Sequence, residues 1–300
     1  MSLFRSSSSR RLAALSFAAL TLAAGTAAQA QTVFAVTVQG NLISFNAASP
    51  GTITTIGPVS GPGISVPDIR GIDFRPATSQ LYLLQGPAGG NPDRLYVVDT
   101  FSGNSTLVAN TSAPIVGSPL GFDFNPVVDL ARVVTSATNN YRVNPNTGAV
   151  TVDTAAVFSP SGNAPFITGS AYTNSIFGGS VPAGTTLYNV DSRNSTLTIQ
   201  NPANAGTNTL VGNLGIDLTG VDAGFDIFFS GTTNTGFISA NPAAAGISTF
   251  YTINLNTGAT TSVGAIGGGV AVRDIAVIPA PGAIGLAGLG LLLAIRSRKR

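Results

Sequence analysis

The chain has 300 residues, with 14 Lys and Arg against 12 acidic residues, all of them Asp, and with no His and no Cys. Three Arg at the start (Arg5, Arg10, Arg11) and four basic residues at the end create the positive balance; the middle keeps seven Arg against twelve Asp, about minus five. This excludes a basic grip on nucleic acid, histidine or thiolate metal sites, disulfides, and any nucleophile activated by His.

Residues 1–30 carry a basic, Ser-rich start, an apolar stretch from Leu12 to Ala24, and small residues at Ala28 and Ala30. Signal peptidase has shallow pockets for two small side chains at this spacing, so a helical signal peptide cleaved before Gln31 is expected. The apolar stretch is short for a membrane span. Export follows as the expectation, and the lack of Cys fits an exported bacterial domain that relies on a large core.

From Val33 onward the sequence reads as short strands separated by Gly, Pro, Asn and Asp, with a block of about fifty residues returning five times. The strand-leading phrase is RGIDF at Arg70 to Phe74, LGFDF at Leu120 to Phe124, TGSAY at Thr168 to Tyr172, AGFDI at Ala223 to Ile227 and RDIAV at Arg273 to Val277. The segment Val33 to Gly57 has three strand-like runs and no lead phrase, whereas the last lead phrase has no strands after it. The two fragments complete each other. The expected fold is therefore an all-β, five-bladed β-propeller over residues 31–278, closed by pairing of N- and C-terminal strands, with six blades as the alternative because the fourth repeat is long.

Within the second repeat the strands are expected at Ile69 to Phe74, Gln80 to Gln85, Arg94 to Asp99 and Ser105 to Ala109, and the other repeats follow suit. Leu81-Tyr82-Leu83-Leu84 blurs the apolar alternation, as in a sheet covered on both faces. A second phrase marks the turn before the last strand: Asp99 to Gly103, Asn144 to Gly148 and Asn254 to Gly258. Its first side chain is placed to accept an N–H two residues on, and its Gly supplies positive φ. A calcium loop would need more carboxylates than this phrase offers.

One constellation stands out. Asp73, Asp123 and Asp226 hold the same place in three lead phrases, where the other two have Ala171 and Ala276. Lead strands line the channel of a propeller, so the three carboxylates converge on the axis. They are expected to hold a calcium ion or cationic ligand, or else to accept backbone N–H groups or pair with an Arg such as Arg70, Arg75 or Arg142. Phe74, Phe122, Phe124 and Tyr172 beside them are expected in the core between blades. Tyr82, Tyr96, Tyr141, Tyr188 and Tyr251 are the faces left for stacking on sugar.

The chain closes with Pro279, Ala280 and Pro281, an apolar run from Gly282 to Ile295, and Arg296, Arg298, Lys299 and Arg300. As a helix the run covers about 21 Å of a hydrocarbon layer of about 30 Å, with the basic cluster held on the cytoplasmic side. These ordered features resemble the PEP-CTERM sorting signal, with Ala280 where that motif has Glu. The resemblance implies processing by an exosortase-type enzyme in bacteria that make exopolysaccharide; a retained single-pass anchor is the alternative. The phrases RGIDFRP, QLYLL, RLYVVDTFSG, LGFDFNP, YRVNPNTG, LYNVDSRNSTLTIQNP and AGFDI resemble the secreted bacterial family called domain of unknown function 4394. That resemblance implies an exported, repeat-built β protein and no established activity.

Two functions follow as expectations. The first is a non-catalytic cell-surface or extracellular-matrix protein, in the envelope of a Gram-negative bacterium, that binds glycan or protein through propeller loops. The second is a calcium-dependent hydrolase of lactonase or esterase type built on Asp73, Asp123 and Asp226.

Overall fold

The computed structural model describes residues 31–87, 92–219, 221–240, 246–278 and 280–281. The expected signal peptide and the whole of the expected C-terminal helix, Gly282 to Ile295, lie outside them. Among the described residues no helix is long and apolar enough to cross a membrane.

Short β-rich runs form five sheets that make a ring, so the fold is the five-bladed propeller expected from the repeats. The first blade joins β1 (Thr32–Thr37), β2 (Asn41–Asn46) and β3 (Ser49–Pro58) to β22 (Val272–Val277) at its inner edge. Blade two is β4 (Ile69–Arg75), β5 (Gln80–Gln85), β6 (Arg94–Val98) and β7 (Ser105–Asn110). Blade three is β8 (Leu120–Asn125), β9 (Leu130–Thr135), β10 (Asn140–Val143) and β11 (Val150–Val152). In the fourth, β13 (Ile167–Tyr172), β15 (Leu187–Asp191), β16 (Thr196–Gln200) and β17 (Thr207–Asn213) are extended by β12 (Val157–Phe158), which pairs parallel to β17. The wider blade draws β12 from ahead of its lead phrase, and the extra length of the fourth repeat goes into the excursion between β13 and β15, not into a sixth blade. Blade five is β18 (Ala223–Phe229), β19 (Asn234–Ala240), β20 (Thr249–Ile253) and β21 (Thr260–Ala265).

Closure comes from β1 lying antiparallel on β22, with Val33 opposite Val277 and Ala35 opposite Ile275. The inner strands β4, β8, β13, β18 and β22 each pack on two others and line the axis. Because a blade buries both faces, side chains from alternate positions of one strand enter different seams. Phe34 and Val36 pack against Ile72, Phe74 and Leu83 of blade two, while Val33 and Ala35 join Phe228, Phe237 and Phe250 of blade five. Three further clusters fill the remaining seams.

The recurring turn works as the sequence predicts. Asp99, Asn144 and Asn254 accept N–H bonds from Phe101, Asn146 and Asn256 at 2.7, 2.9 and 2.9 Å. Gly103, Gly148 and Gly258 close these turns at φ of 78°, 71° and 79°.

One excursion crosses the ring. β14 (Ile176–Phe177) leaves blade four and pairs parallel with β23 (Ala280–Pro281), the short strand that follows blade one's inner strand. Phe177 sits edge-on to Phe74 of blade two, ring centroids 5.4 Å apart. Blades two and four are not neighbours, so this loop spans one end of the axial channel.

Candidate functional site

An inner strand has a sheet partner on one side only, which leaves alternate backbone N–H groups pointing at the next blade with no strand to receive them. Buried donors of this kind must find an acceptor. The axial carboxylates supply it. Asp73 accepts Phe74 N at 2.7 Å and, from the next blade, Phe124 N at 2.8 Å. Asp123 accepts Tyr172 N at 3.2 Å. Asp226 accepts Ile227 N in its own strand and Val277 N of β22.

The structure brings the three predicted aspartates together: one oxygen from each lies within 4.8 Å of the others, and all three side chains are buried. Their partners differ from one expectation. The arginines considered as partners are engaged elsewhere, Arg70 with Asp93, Arg75 with Asp129 and Arg142 with Asp153. The acceptor positions of the axial carboxylates are taken instead by backbone N–H groups.

A fourth carboxylate was missed by the sequence. Asp274 accepts Ile72 N of blade two and Ile275 N of its own strand, both at 2.9 Å. It is the second residue of RDIAV, where the other phrases have Gly71, Gly121, Gly169 and Gly224; two residues earlier on a strand is the same face, one pleat up. The strand that lacks the usual Asp, having Ala276 there, thus carries its carboxylate one layer higher. A Cβ on Gly224 would lie 2.8 Å from Ile275 N, and one on Gly71 would lie 2.9 Å from the Asp274 carboxylate. Glycine is needed here for close approach of neighbouring strands. Alternation along RDIAV was the signal that could have found Asp274.

Four of the five inner seams are latched by Asp in this way. At the fifth, where blade four offers Ala171, a reciprocal pair takes over: Asn174 N donates to Asn234 Oδ1 at 2.8 Å, and Asn234 Nδ2 donates to Asn174 Oδ1 at 2.9 Å.

The electrostatics follow from packing like charges in a dry place. Burial, then the neighbouring charge of Asp226, holds Asp73 well above the ordinary carboxylate range; burial, then Asp73, does the same to Asp123. Burial raises Asp274 strongly and Asp226 to about 6. Carboxyls this close do not all ionise. Both oxygens of Asp73 and of Asp226 accept N–H bonds, whereas Asp123 uses only Oδ1, which leaves Asp123 Oδ2 as the oxygen open to a proton.

Access to the cluster is narrow. Phe177 and the exit strand cross one end of the channel. At the other end Arg70, Asp222, Arg273 and Asp274 surround a cavity of about 20 Å³, room for about one water. Calcium takes six to eight oxygen ligands; among the described residues the axial layer offers three carboxylates, with Ala171 and Ala276 at the two remaining places.

Other sequence candidates fall into place as well. Phe74, Phe122, Phe124 and Tyr172 are buried between blades, as expected. Tyr82, Tyr96, Tyr141 and Tyr251 are buried too, which withdraws them as sugar-stacking faces because sheet neighbours cover both sides of each ring. Tyr188, the fifth of those tyrosines, lines an open cleft.

The ring, its axial latches and its Asx-Gly turns define a closed five-bladed propeller. Residues 41–276 match the family model described as Domain of unknown function (DUF4394), and the chain belongs to that family. No curated protein matches it. Solved structures with a similar course include hydrazine synthase of Kuenenia stuttgartiensis (12% identity, 69% of this chain and 53% of that one, TM-score 0.40). A protein of unknown function (12%, 84% and 74%, 0.44) and an auxiliary nutrient binding protein (13%, 68% and 55%, 0.40), both from Bacteroides thetaiotaomicron, are likewise similar. The chain spans about half the length of the first and third of these. At such scores the likenesses carry nothing about the chemistry of this chain.

Proposed function

We propose that the chain is an exported, non-catalytic protein of the bacterial cell surface or extracellular matrix, which holds glycan or protein through loops and seams at the propeller surface. The observation that carries this reading is the use of the axial carboxylates: five of the six oxygens of Asp73, Asp123 and Asp226 accept backbone N–H bonds, and all three side chains are buried. In a chain without His, Cys or Glu these were the groups best suited to catalysis. The proximity of the three aspartates favours a calcium-dependent lactonase or esterase as the second reading. The loop that carries Phe177 across one end of the channel weighs against it.

Export rests on the leader, with signal peptidase acting at Ala28, Ala30 and Gln31, and sorting on Pro279, Ala280, Pro281 and the basic end, read by an exosortase-type enzyme while the tail is in the membrane. The expected location is the envelope, surface or matrix of a Gram-negative bacterium. The test is retention of the purified protein on matrix polysaccharide from its own producer, beside a panel of lactones and esters assayed with calcium. Retention without turnover is expected; calcium-dependent hydrolysis that Asp123→Asn abolishes would establish the second reading instead.

A further inference from the structure

The seam between blades three and four holds a cleft of about 240 Å³ lined by Asn125, Val128, Leu130, Arg132, Arg142, Tyr172 and Asn204. We propose that this cleft binds the carboxylate of a uronic acid unit in an acidic polysaccharide. The inference rests on the glycan-binding reading above and gives it a place and a ligand class.

The lining groups have one property in common. Their acceptors are already used, so what they offer is donors. Asn125 Oδ1 accepts Val127 N and Val128 N at 2.9 and 3.3 Å, which leaves its amide N–H groups unengaged among the described residues. Asn204 Oδ1 accepts from Arg132, with the same result. The Tyr172 hydroxyl oxygen accepts Arg132 Nε at 3.3 Å and keeps its O–H to give.

Arg142 completes the set. Its Nε and Nη2 both hold Asp153 at 2.8 Å, and Nη1 has no partner among the described residues. Arg132 Nη1 also holds Asp153, at 2.7 Å. Burial favours protonation of Asp153, but the bonds from Arg142 and Arg132 outweigh it and hold the carboxyl below its ordinary range. Two guanidinium groups over one carboxylate leave a net single positive charge, and the lining contains no acidic side chain.

A donor-only cleft with one positive charge selects a ligand rich in acceptors that carries one negative charge. A carboxylate matches the planar fork of Arg. A phosphate dianion would be half neutralised, and the body around it carries about minus five. The volume is below the roughly 300–1,000 Å³ usual for drug-sized ligands and suits one sugar ring. Val128 and Leu130 supply an apolar wall for its C–H face, and the amides face its hydroxyls.

The probe is an oligogalacturonate trimer, compared by calorimetry with the same trimer reduced to neutral galactose units and with an Asp-rich peptide. The exported chain is expected to bind the acidic trimer at least about tenfold more tightly than either comparison, as the loss of a charge-assisted bond predicts. Binding should weaken as salt rises, and Arg142→Gln should erase the preference while the melting curve stays cooperative. Arg142→Lys, which keeps the charge and loses the fork, should fall between; it also serves if the Gln variant does not fold. Equal binding by Arg142→Gln, by the reduced trimer or by the peptide would overturn the inference. If the trimer is ignored while the producer's own polysaccharide is still retained, the cleft assignment falls and the proposed function stands. Failure of both would remove both.

Discussion

A chain ending at Ala271 is expected not to fold, although four of its blades remain complete in sequence. Removing β22 strips the inner strand from blade one and leaves β1 paired on one side only, with β2. It takes Val272, Ile275 and Val277 out of the seam with blade five and Ala276 out of the seam with blade two. Two latches go with it, because Ile72 N loses Asp274 and Asp226 loses Val277 N. Four buried apolar side chains and two orphaned polar contacts come to about 7–16 kcal/mol, as large as the roughly 5–15 kcal/mol that holds a domain folded, and the exposed sheet edge adds to the loss. Circular dichroism with thermal melting checks this against a chain cut after Pro281. A cooperative transition within a few degrees of that control would show that the ring does not depend on its closing strand.

Gly121→Ala carries the second large effect. The added Cβ would fall inside the contact distance of Ser170 N and Oγ on the neighbouring inner strand. Backbone in a closed ring has nowhere to retreat, since moving β13 away from β8 also draws Tyr172 N off Asp123. We expect a loss of about 3 kcal/mol or more, seen as a fall in Tm of roughly 10 °C. Gly184 has no atom within 4 Å of its would-be Cβ, and Gly184→Ala should melt like the parent. Equal Tm values for the two variants would mean that the inner strands are not packed this tightly.

Much of this was legible because repetition exposes position. RGIDF, LGFDF and AGFDI align without gaps, so the shared place of Asp73, Asp123 and Asp226 on the axis followed from knowing that lead strands line it. The split first blade was legible for the same reason. What the residues hid was the identity of the partner: a backbone N–H leaves no mark in sequence, so an Arg was as plausible an acceptor's mate as the amide that is there. Asp274 escaped because the phrase was compared position by position, whereas a strand repeats its faces every two residues.

Blade four was hard to read for a different reason. Its buried face includes Asn189, Gln200 and Asn208, linked by side-chain bonds of 2.8 and 2.9 Å from Asn189 Nδ2, where other blades use aliphatic residues. Polar residues in a strand read as surface, yet an amide whose donors and acceptors meet each other can be buried. The donor-only cleft beside this blade escaped likewise, because Asn125, Arg142 and Asn204 acquire their common character only after the fold has used up their acceptors.

The account turns on the axial aspartates being latches that hold protons and not an ion site, and thermal melting against pH, with and without calcium, tests that most directly. Asp226 moves from an ordinary 3.8 to about 6, and Asp73, Asp123 and Asp274 move up as well, so the folded state holds protons that the unfolded chain releases. By linkage, the stability these groups contribute is complete below the unfolded value and is lost as pH rises through the folded one. Tm should therefore climb as pH falls from about 8 to about 4.5, and calcium should leave it unchanged throughout. A saturable rise in Tm with calcium at neutral pH, together with a fall in Tm on acidification, would contradict the account.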